Sequence, residues 1–428
     1  MTVPKRPRNR TPGSLAARER RLAFAMLAPG FAIVFLVVLF PVLANFWISL
    51  KEVRLGDLRP PVPVLRERVL SAPEAPGDLL ELRYQMRNSS PRAGIAAVTL
   101  RATLPAGLEP VELDERCTIR DDRLSCLVGD WEGGQRENLE LSFVAASEYF
   151  GAGVNERSPT AATVSGRAAG VLANLEFTLR NFRFVLSGSE FWPAFWVTIG
   201  YTLGGSVFSI LLGLFAAQLL NVRFPGQGLL RGLFLFPYVA PVIAVAFTWA
   251  FFLDPFSGSL NLLGVEFGFF ERPIAFLSQR SFDLAFFGLT LSIPLALSTV
   301  IAFEAWRYFP FAFLFILARF QAMPRDMYEA AEVDGASPLQ QFRWITLPQL
   351  VGVLSTLFLL RFIWTFNKFD DIFLLTGGAA GTETLTIQVY DNAFARADIG
   401  AGAATAVLLF FILAVFMMLY FRFVPEGA

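Results

Sequence analysis

Six long blocks of nearly unbroken apolar sequence constrain this chain more than any other feature. They fall at about 23–48, 192–220, 229–253, 284–318, 347–375 and 401–423. A membrane-spanning helix needs roughly 20 apolar residues to cross about 30 Å of hydrocarbon. In that medium every backbone N–H and C=O must be satisfied within the protein, which leaves helices or a closed barrel. Runs of this length without period-two alternation are helical. The chain is therefore expected to be a mainly α membrane protein with six spans. Composition enters only through this clustering: 54% of the residues are hydrophobic, and the excess sits in the blocks.

The fourth block is longer than one span needs, and Pro294 and Pro310 interrupt it. It predicts an outer interfacial or re-entrant stretch up to about Pro294, then a true span to Ala318. Two tight spans would need a polar turn that the block lacks. The first block follows a basic tail, residues 1–21, that carries Lys5, Arg6, Arg8, Arg10, Arg18, Arg20 and Arg21. Its run from Leu22 to Leu50 exceeds a signal-peptide core and has no small-residue cleavage site, so residues 22–50 are read as a retained first span.

Short-loop arginines set the expected orientation. Arg223 and Arg231 follow the second block, and Arg319, Arg325 and Arg343 follow the fourth. The alternate segments carry Asp254, Glu266 and Glu271, then Glu383, Asp391 and Asp398. The positive-inside rule places both termini in the cytoplasm. The long segment 51–172 then lies outside, and its length removes it from the charge count.

That segment reads as β structure. Leu80 to Met86, Ala97 to Leu104 and Leu139 to Val144 alternate, and turn clusters such as Asn88-Ser89-Ser90-Pro91 and Leu104-Pro105-Ala106-Gly107 separate them. Short antiparallel strands follow. Cys117 and Cys126 flank Arg120-Asp121-Asp122-Arg123, a hairpin-turn sequence. Outside the cytoplasm a disulfide between them is favoured, with two free thiols as the alternative. Residues 78–147 resemble the immunoglobulin-like repeat domain of bacterial surface proteins, through Tyr84 to Asn88, Leu104-Pro105-Ala106-Gly107-Leu108 and the two cysteines before Trp131. That resemblance implies an inserted all-β, sandwich-like domain and no chemistry.

Several function classes drop out. The chain has no histidine and only two cysteines, so histidine catalysis and His/Cys metal sites are excluded and no metal is expected. Carboxylate chemistry stays open. A formal net charge of zero offers no field to recruit nucleic acid.

The most informative segment runs Glu329-Ala330-Ala331-Glu332-Val333-Asp334-Gly335-Ala336-Ser337-Pro338-Leu339-Gln340-Gln341-Phe342. Physically it is two short helices and a turn. Ala330 and Ala331 make a face that another surface can approach closely. Gly335 permits a left-handed turn. Ser337 suits an N-cap, Pro338 the first helical position, and Gln340 completes a capping box. A stiff elbow between two spans can transmit a push; an ordinary cytoplasmic helix hairpin is the plainer reading.

Glu329-Ala330-Ala331, Asp334-Gly335-Ala336 and Ile345-Thr346-Leu347-Pro348 resemble the EAA loop of binding-protein-dependent ABC importer permeases. The resemblance runs from about residue 173 to 423, plus the first span. It takes in Asn181-Phe182, Phe236-Pro237, Trp306-Arg307-Tyr308-Phe309-Pro310-Phe311 and Leu374-Leu375-Thr376-Gly377-Gly378. It is similar to the carbohydrate-uptake branch, the maltose and glycerol-phosphate permease relatives. It implies a six-helix importer permease of the bacterial inner membrane, with its core in residues 173–428 and a coupling loop at about 325–345. Glu329, Ala330, Ala331, Asp334, Gly335 and Ala336 would dock in a cleft of an ATPase subunit. Glu329 would meet a basic group there, and Gly335 would form the bend. The chain lacks a G-x-x-x-x-G-K-[ST] motif, so ATP and Mg belong to partners and this chain is not itself an enzyme. Implied partners are a second permease in a heterodimer, two ATPase subunits, an extracytoplasmic sugar-binding protein and membrane lipid. Against that implied setting the external segment has three expected roles: docking the binding protein, bracing the partner permease or decorating the first loop.

Charges inside spans cost about 2.5–3.5 kcal/mol each on insertion scales. Glu304, Arg307, Tyr308 and Phe311 are spaced i, i+3, i+4, i+7, and Arg361, Trp364, Thr365 and Lys368 repeat that spacing. Each set shares one helix face. Glu304 precedes Arg319 by 15 residues and Arg361 follows Thr346 by 15, so both lie roughly 22 Å from the cytoplasmic end and can meet. Lys368 lies about 33 Å along, near Asp370 and Asp371. In maltose-type permeases these faces line the sugar site, which makes all eight residues substrate-path candidates. Glu304, Arg361 and Lys368 depart from the neutral residues expected there and would permit an anionic or amino sugar. A structural Glu304–Arg361 pair is the equal alternative. Two other classes remain. An ion-gradient-driven secondary carrier would show inverted repeats and acidic coupling residues. A membrane-anchored enzyme or adhesin would place a catalytic cluster in the β segment, which shows none.

Overall fold

The structure is a computed structural model that describes residues 13–151, 155, 157–168, 170–286 and 289–423. Lys5, Arg6, Arg8 and Arg10 of the basic tail lie outside the described residues. The chain divides into two compact units, one of residues 1–49, 181–396 and 401–428, the other of 50–180 and 397–400.

The first unit is helical. Among the described residues, five helices are long and apolar enough to cross a membrane: α1 (Glu19–Ser49), α2 (Phe191–Leu219), α5 (Leu295–Gln321), α7 (Pro338–Phe366) and α9 (Ile399–Phe423). The third apolar block forms a bent pair instead, α3 (Gln227–Val239) and α4 (Val242–Phe252), which meet at 94°. Six spans result only when this pair counts as one. The break falls at Ala240-Pro241, where Ala240 is extended. A residue before proline is driven out of the helical region, and the proline itself supplies no N–H. Two shorter helices complete the set used below, α6 (Asp326–Val333) and α8 (Asp370–Thr376).

The fourth block divides at Pro294, where the span starts as expected. Its first part is neither helix nor re-entrant helix but an antiparallel hairpin, β9 (Phe282–Phe286) and β10 (Leu289–Ile293). The hairpin's connecting residues, 287 and 288, lie outside the described residues. Pro294 then N-caps α5, whereas Pro310, expected to interrupt the block, lies inside that helix, where it removes one backbone hydrogen bond.

Helices cannot gain hydrophobic energy from one another in lipid, so close backbone packing and internal hydrogen bonds hold the bundle. The α2–α5 contact shows why glycine is required. A Cβ at Gly213 would lie 2.7 Å from Ala312 Cβ and 2.8 Å from the Phe313 backbone nitrogen. One at Gly205 would lie 2.7 Å from Glu304 Cγ. This contact brings the polar residues of α2 against Glu304.

The second unit contains two four-stranded antiparallel sheets, ordered β1-β2-β7-β4 and β5-β6-β3-β8. The strands are β1 (Pro63–Ser71), β2 (Leu79–Asn88), β3 (Ile95–Thr103), β4 (Leu108–Glu112), β5 (Cys117–Arg120), β6 (Arg123–Trp131), β7 (Arg136–Ala145) and β8 (Thr163–Arg167). Alternation in β2 and β7 turns Leu82, Tyr84, Leu141 and Phe143 inward, where they share one core with Leu100 and Leu124 of the other sheet. Each such burial stabilises the unit by about 1.5–3 kcal/mol. Tyr84 donates or accepts one bond with Thr160 at 2.8 Å, and burial pushes its phenol well above the usual range. Asp121 and Asp122 both have positive φ, 47° and 59°, which matches the tight turn that joins β5 to β6. Cys117 and Cys126 face each other across that hairpin and are joined as a disulfide. The ends of the unit are tied together: Lys51 donates to Asn174 Oδ1 at 2.7 Å, and Arg180 pairs with Glu52 at 3.0 Å. Closely spaced ends are what a segment inserted between two spans requires.

Candidate functional site

Three arrangements in the helical unit bear on function. The first is the elbow at α6–α7. Helix α6 ends in a Schellman motif: Gly335 N–H donates to Glu332 O at 3.0 Å, and Ala336 N–H to Ala331 O at 2.9 Å. Gly335 has φ +76°, a conformation that strains any residue with a Cβ. Ser337 then caps α7, with Gln340 Oε1 accepting from Ser337 N at 2.7 Å. From Pro338 the helix runs through a π turn, Phe342–Thr346, into the span without a break. Tyr328 Oη bonds Thr346 Oγ1 at 2.9 Å and closes the elbow on itself. Glu329, Ala330, Asp334 and Gly335 are exposed, and Ala331 and Ala336 half-buried. Val333, Leu339 and Trp344 stand out with exposures of 88%, 75% and 72%. The elbow is thus capped at its turn, continuous with a span, and presents exposed apolar Val333, Leu339 and Trp344 beside the exposed acids Glu329 and Asp334.

The second arrangement is a buried charge network. Glu304 of α5 and Arg361 of α7 form an ion pair and are fully buried, at 0% and 1% exposure. Glu304 Oε1 also accepts from Thr365 Oγ1 at 3.0 Å, and Oε2 from Tyr201 Oη at 3.0 Å. Arg361 further reaches Thr365 Oγ1 at 3.1 Å and Ser209 Oγ at 3.4 Å. Two buried charges lose several kcal/mol each in hydration, and only a close pair with its remaining lone pairs bonded offsets that loss. This network meets the condition and joins α2, α5 and α7. Arg307, also buried, turns elsewhere. It donates to Pro237 O at 3.3 Å and Ala240 O at 3.1 Å, carbonyls freed by the α3–α4 break.

The third arrangement is an aromatic surface. Tyr238, Phe315 and Trp364 are 40%, 49% and 46% exposed. Phe311 ties them together, with ring centroids 6.1 Å from Tyr238, 4.9 Å from Phe315 and 5.1 Å from Trp364. Tyr308 joins at one end, 6.0 Å from Tyr238. Its ring holds two cations, the Arg361 guanidinium at 4.4 Å and Lys368 Nζ at 4.6 Å, a cation–π geometry. Lys368 donates to Tyr308 Oη and lies 3.3 Å from Asp370 and 3.5 Å from the buried Asp371 of α8.

The eight path candidates therefore separate. Glu304, Arg307, Arg361 and Thr365 point into the bundle and are satisfied there. Tyr308, Phe311, Trp364 and Lys368 border the aromatic surface. Sequence reasoning missed Tyr201 and Ser209, though Thr198, Tyr201, Thr202, Ser206 and Ser209 form a polar stripe at three- and four-residue spacing in the second block. It also missed Tyr238, which directly follows Phe236-Pro237, and Phe315, one turn beyond Phe311.

Residues 209–426 match the family described as binding-protein-dependent transport system inner membrane component. An inner membrane ABC transporter permease protein of Escherichia coli K12, YcjO, is 36% identical over 245 residues, 56% of this chain and 78% of the relative. The trehalose/maltose transport system permease protein MalF of Thermococcus litoralis is 35% identical over 250 residues, covering 57% and 78%. Among solved structures, a bacterial ABC transporter for import of the acidic polysaccharide alginate superposes with a TM-score of 0.50. It is 19% identical and covers 59% of this chain and 86% of that one. That likeness concerns the fold. With its spanning helices and its capped elbow, the chain belongs to the family of binding-protein-dependent transport system inner membrane components.

Proposed function

We propose that this chain is the permease subunit of an ABC importer that carries an uncharged saccharide into the cytoplasm by alternating access. A second permease completes the pore, and two ATPase subunits, which hold the ATP and Mg, dock at residues 325–345. An extracytoplasmic binding protein delivers the substrate. Both termini lie in the cytoplasm, as the short-loop arginines favour. The two-sheet unit then lies outside as an immunoglobulin-like sandwich, a reading that its shared core and end-to-end ties support.

One observation carries the substrate class. The cations beside Tyr308 are already answered within the chain: Arg361 by Glu304, Lys368 by Asp370 and Asp371, Arg307 by two carbonyls. That pairing disfavours a uronic acid, and Glu304, with a bond at each carboxylate oxygen, is equally closed to an amino sugar. Aromatic faces and a few hydroxyls remain, which suit the apolar faces and hydroxyl rim of a neutral sugar. The saccharide class itself is supported by the trehalose and maltose named for a relative.

The test is uptake by the complex reconstituted with its binding protein. Neutral disaccharides and oligosaccharides are expected to be transported, and uronic and amino sugars of the same size excluded. Transport of the charged sugars in preference to neutral ones overturns the substrate class. Gly335→Val tests the coupling reading separately. ATPase subunits are expected to fall away from the variant while this chain stays in the membrane, and an unchanged complex overturns the coupling role.

A further inference from the structure

A polar cavity of about 720 Å³ lies beside the elbow, where spans α2 and α5 end. Its volume falls in the roughly 300–1,000 Å³ range of small-ligand sites. Arg223, from the loop after α2, and Arg231 of α3 line it. Arg325, Glu329 and Glu332 line it from α6 and the residue before that helix. Both signs of charge thus face one space, yet none of these five residues forms an ion pair among the described residues. A guanidinium carries five N–H donors. Arg231 spends Nη2 on Leu220 O at 2.7 Å, and its buried Nε has no acceptor among the described residues.

The lining selects its occupant. Arginine forks match the oxygens of a phosphate. The two carboxylates repel a purely anionic ligand and attract an ammonium. A phosphate ester that carries a primary amine answers both sets at once. The place favours a membrane source for it. Spans α2 and α5 both end at the cavity, at the depth where hydrocarbon gives way to headgroups, and basic pockets between spans hold headgroups there. Phe215 and Leu219 of α2 and Leu229 and Leu233 of α3 are exposed, so the same helices offer acyl chains an apolar surface.

We propose that this cavity binds an amine-bearing phosphate ester, in the membrane the headgroup of phosphatidylethanolamine. Arg223 and Arg231 hold its phosphate, and Glu332 its ammonium. Glu329, one turn earlier, is left to the ATPase contact proposed above. The inference stands on α2 and α5 as membrane spans. It does not depend on the substrate, on the ATPase partners or on which side of the membrane the cavity faces. A headgroup bound there joins the α2–α3 corner to α6 and so steadies the base of the elbow.

The experiment uses the assembled permease–ATPase complex, stripped of lipid in detergent and titrated with phosphatidylethanolamine or phosphatidylglycerol. Bound lipid is counted by native mass spectrometry. The native complex is expected to prefer phosphatidylethanolamine by about tenfold, and Arg223→Gln to weaken that binding by about tenfold. Glu332→Gln is expected to abolish the preference by admitting phosphatidylglycerol, a change of selectivity that a merely structural role would not produce. Arg422→Gln, an exposed arginine at the end of α9, is expected to match the native complex. Thermal unfolding checks each variant, and because the two variants remove opposite charges, either one that folds serves the test. Equal binding of the two lipids by the native complex overturns the proposal. So does unchanged binding in Arg223→Gln, or native selectivity in Glu332→Gln. Loss of the ATPase subunits from Glu332→Gln bears on the coupling reading alone, since lipid selectivity is read separately. Soluble phosphoethanolamine distinguishes the sources. Displacement of lipid at a matching concentration assigns the free ester, and displacement only at far higher concentration, or none, assigns the lipid headgroup.

Discussion

Charges in the two units obey opposite rules. Within the bundle, Glu304 and Arg361 are fully buried, and each carboxylate oxygen has its bond. On the β1-β2-β7 face, arginines stand opposite arginines and most have no counter-ion. Dielectric accounts for the difference. A buried charge left without partners costs several kcal/mol, so in the bundle Glu304 and Arg361 pair and Arg307 bonds two carbonyls. In water the same repulsion costs a few tenths, so a surface can keep it. Pairing therefore marks structure in one unit, while the other leaves arginines unpaired at little cost.

The largest expected effect breaks the pair. Arg361→Ala leaves Glu304 buried without its counter-ion and is expected to destabilise the bundle by about 3–5 kcal/mol. Loss would be read as a lower yield of folded complex and a lower unfolding temperature. Pairing Arg361→Met with Glu304→Gln is expected to recover most of the stability. If both residues instead served substrate alone, Arg361→Ala would abolish uptake with no change in unfolding.

Trp364→Ala sharpens the contrast between the interior and the aromatic surface. Trp364 is 46% exposed and packs on Phe311, so unfolding is expected to shift little. An aromatic contact of about 0.5–1.5 kcal/mol predicts a transport KM raised roughly 2- to 10-fold. Equal loss at Trp364 and Arg361 in both stability and transport would erase the distinction between interior and path.

Arg68→Gln is the surface counterpart of Arg361→Ala and carries the opposite sign. Removing one of two opposed arginines is expected to stabilise the β unit by about 0.2–1 kcal/mol, measured by thermal unfolding. A destabilised variant would mean that Arg68 has a structural role like that of Arg361.

How far this contrast was legible in the sequence depends on what each feature needs. The elbow was readable residue by residue, because a Schellman turn and a capping box are local: Gly335, Ser337, Pro338 and Gln340 specify them without neighbours. The meeting of Glu304 with Arg361 was readable from depth alone, because helical rise converts sequence distance to height. Which path candidates turn inward was not readable. A stripe at i, i+3, i+4, i+7 is wide enough for Glu304 to face α2 while Phe311 faces out, and only packing divides it. The 94° break was not read, since Pro241 sits in a block whose hydropathy alone reads as one span. The hairpin before Pro294 was hidden for the same reason, as an apolar run does not reveal its period when strands are short. The opposed arginines needed the register of three strands, which alternation within each strand does not fix.

The smallest effect tests the middle ground, an exposed pair that is satisfied. Asp114 accepts two bonds from the Arg116 side chain, both at 2.9 Å, and one from its backbone N–H at 3.0 Å. These bonds, the side-chain one first, lower its carboxyl from 3.8 to about 2. A depressed folded value means that the fold holds the charged form. Its contribution is complete above the unfolded value near 3.9 and fades as pH falls from about 4 through about 2. Both side chains are partly exposed, at 28% for Asp114 and 40% for Arg116, so solvent screening leaves only a few tenths of a kcal/mol. Thermal unfolding at about pH 4.5 and about pH 1.5, roughly a half unit beyond each side of that window, is expected to show this small loss on top of the general acid effect. The loss should vanish in Asp114→Asn, which has no proton to take up. A loss of several kcal/mol confined to the native chain would place Asp114 with Glu304, among charges whose pairing the fold depends on.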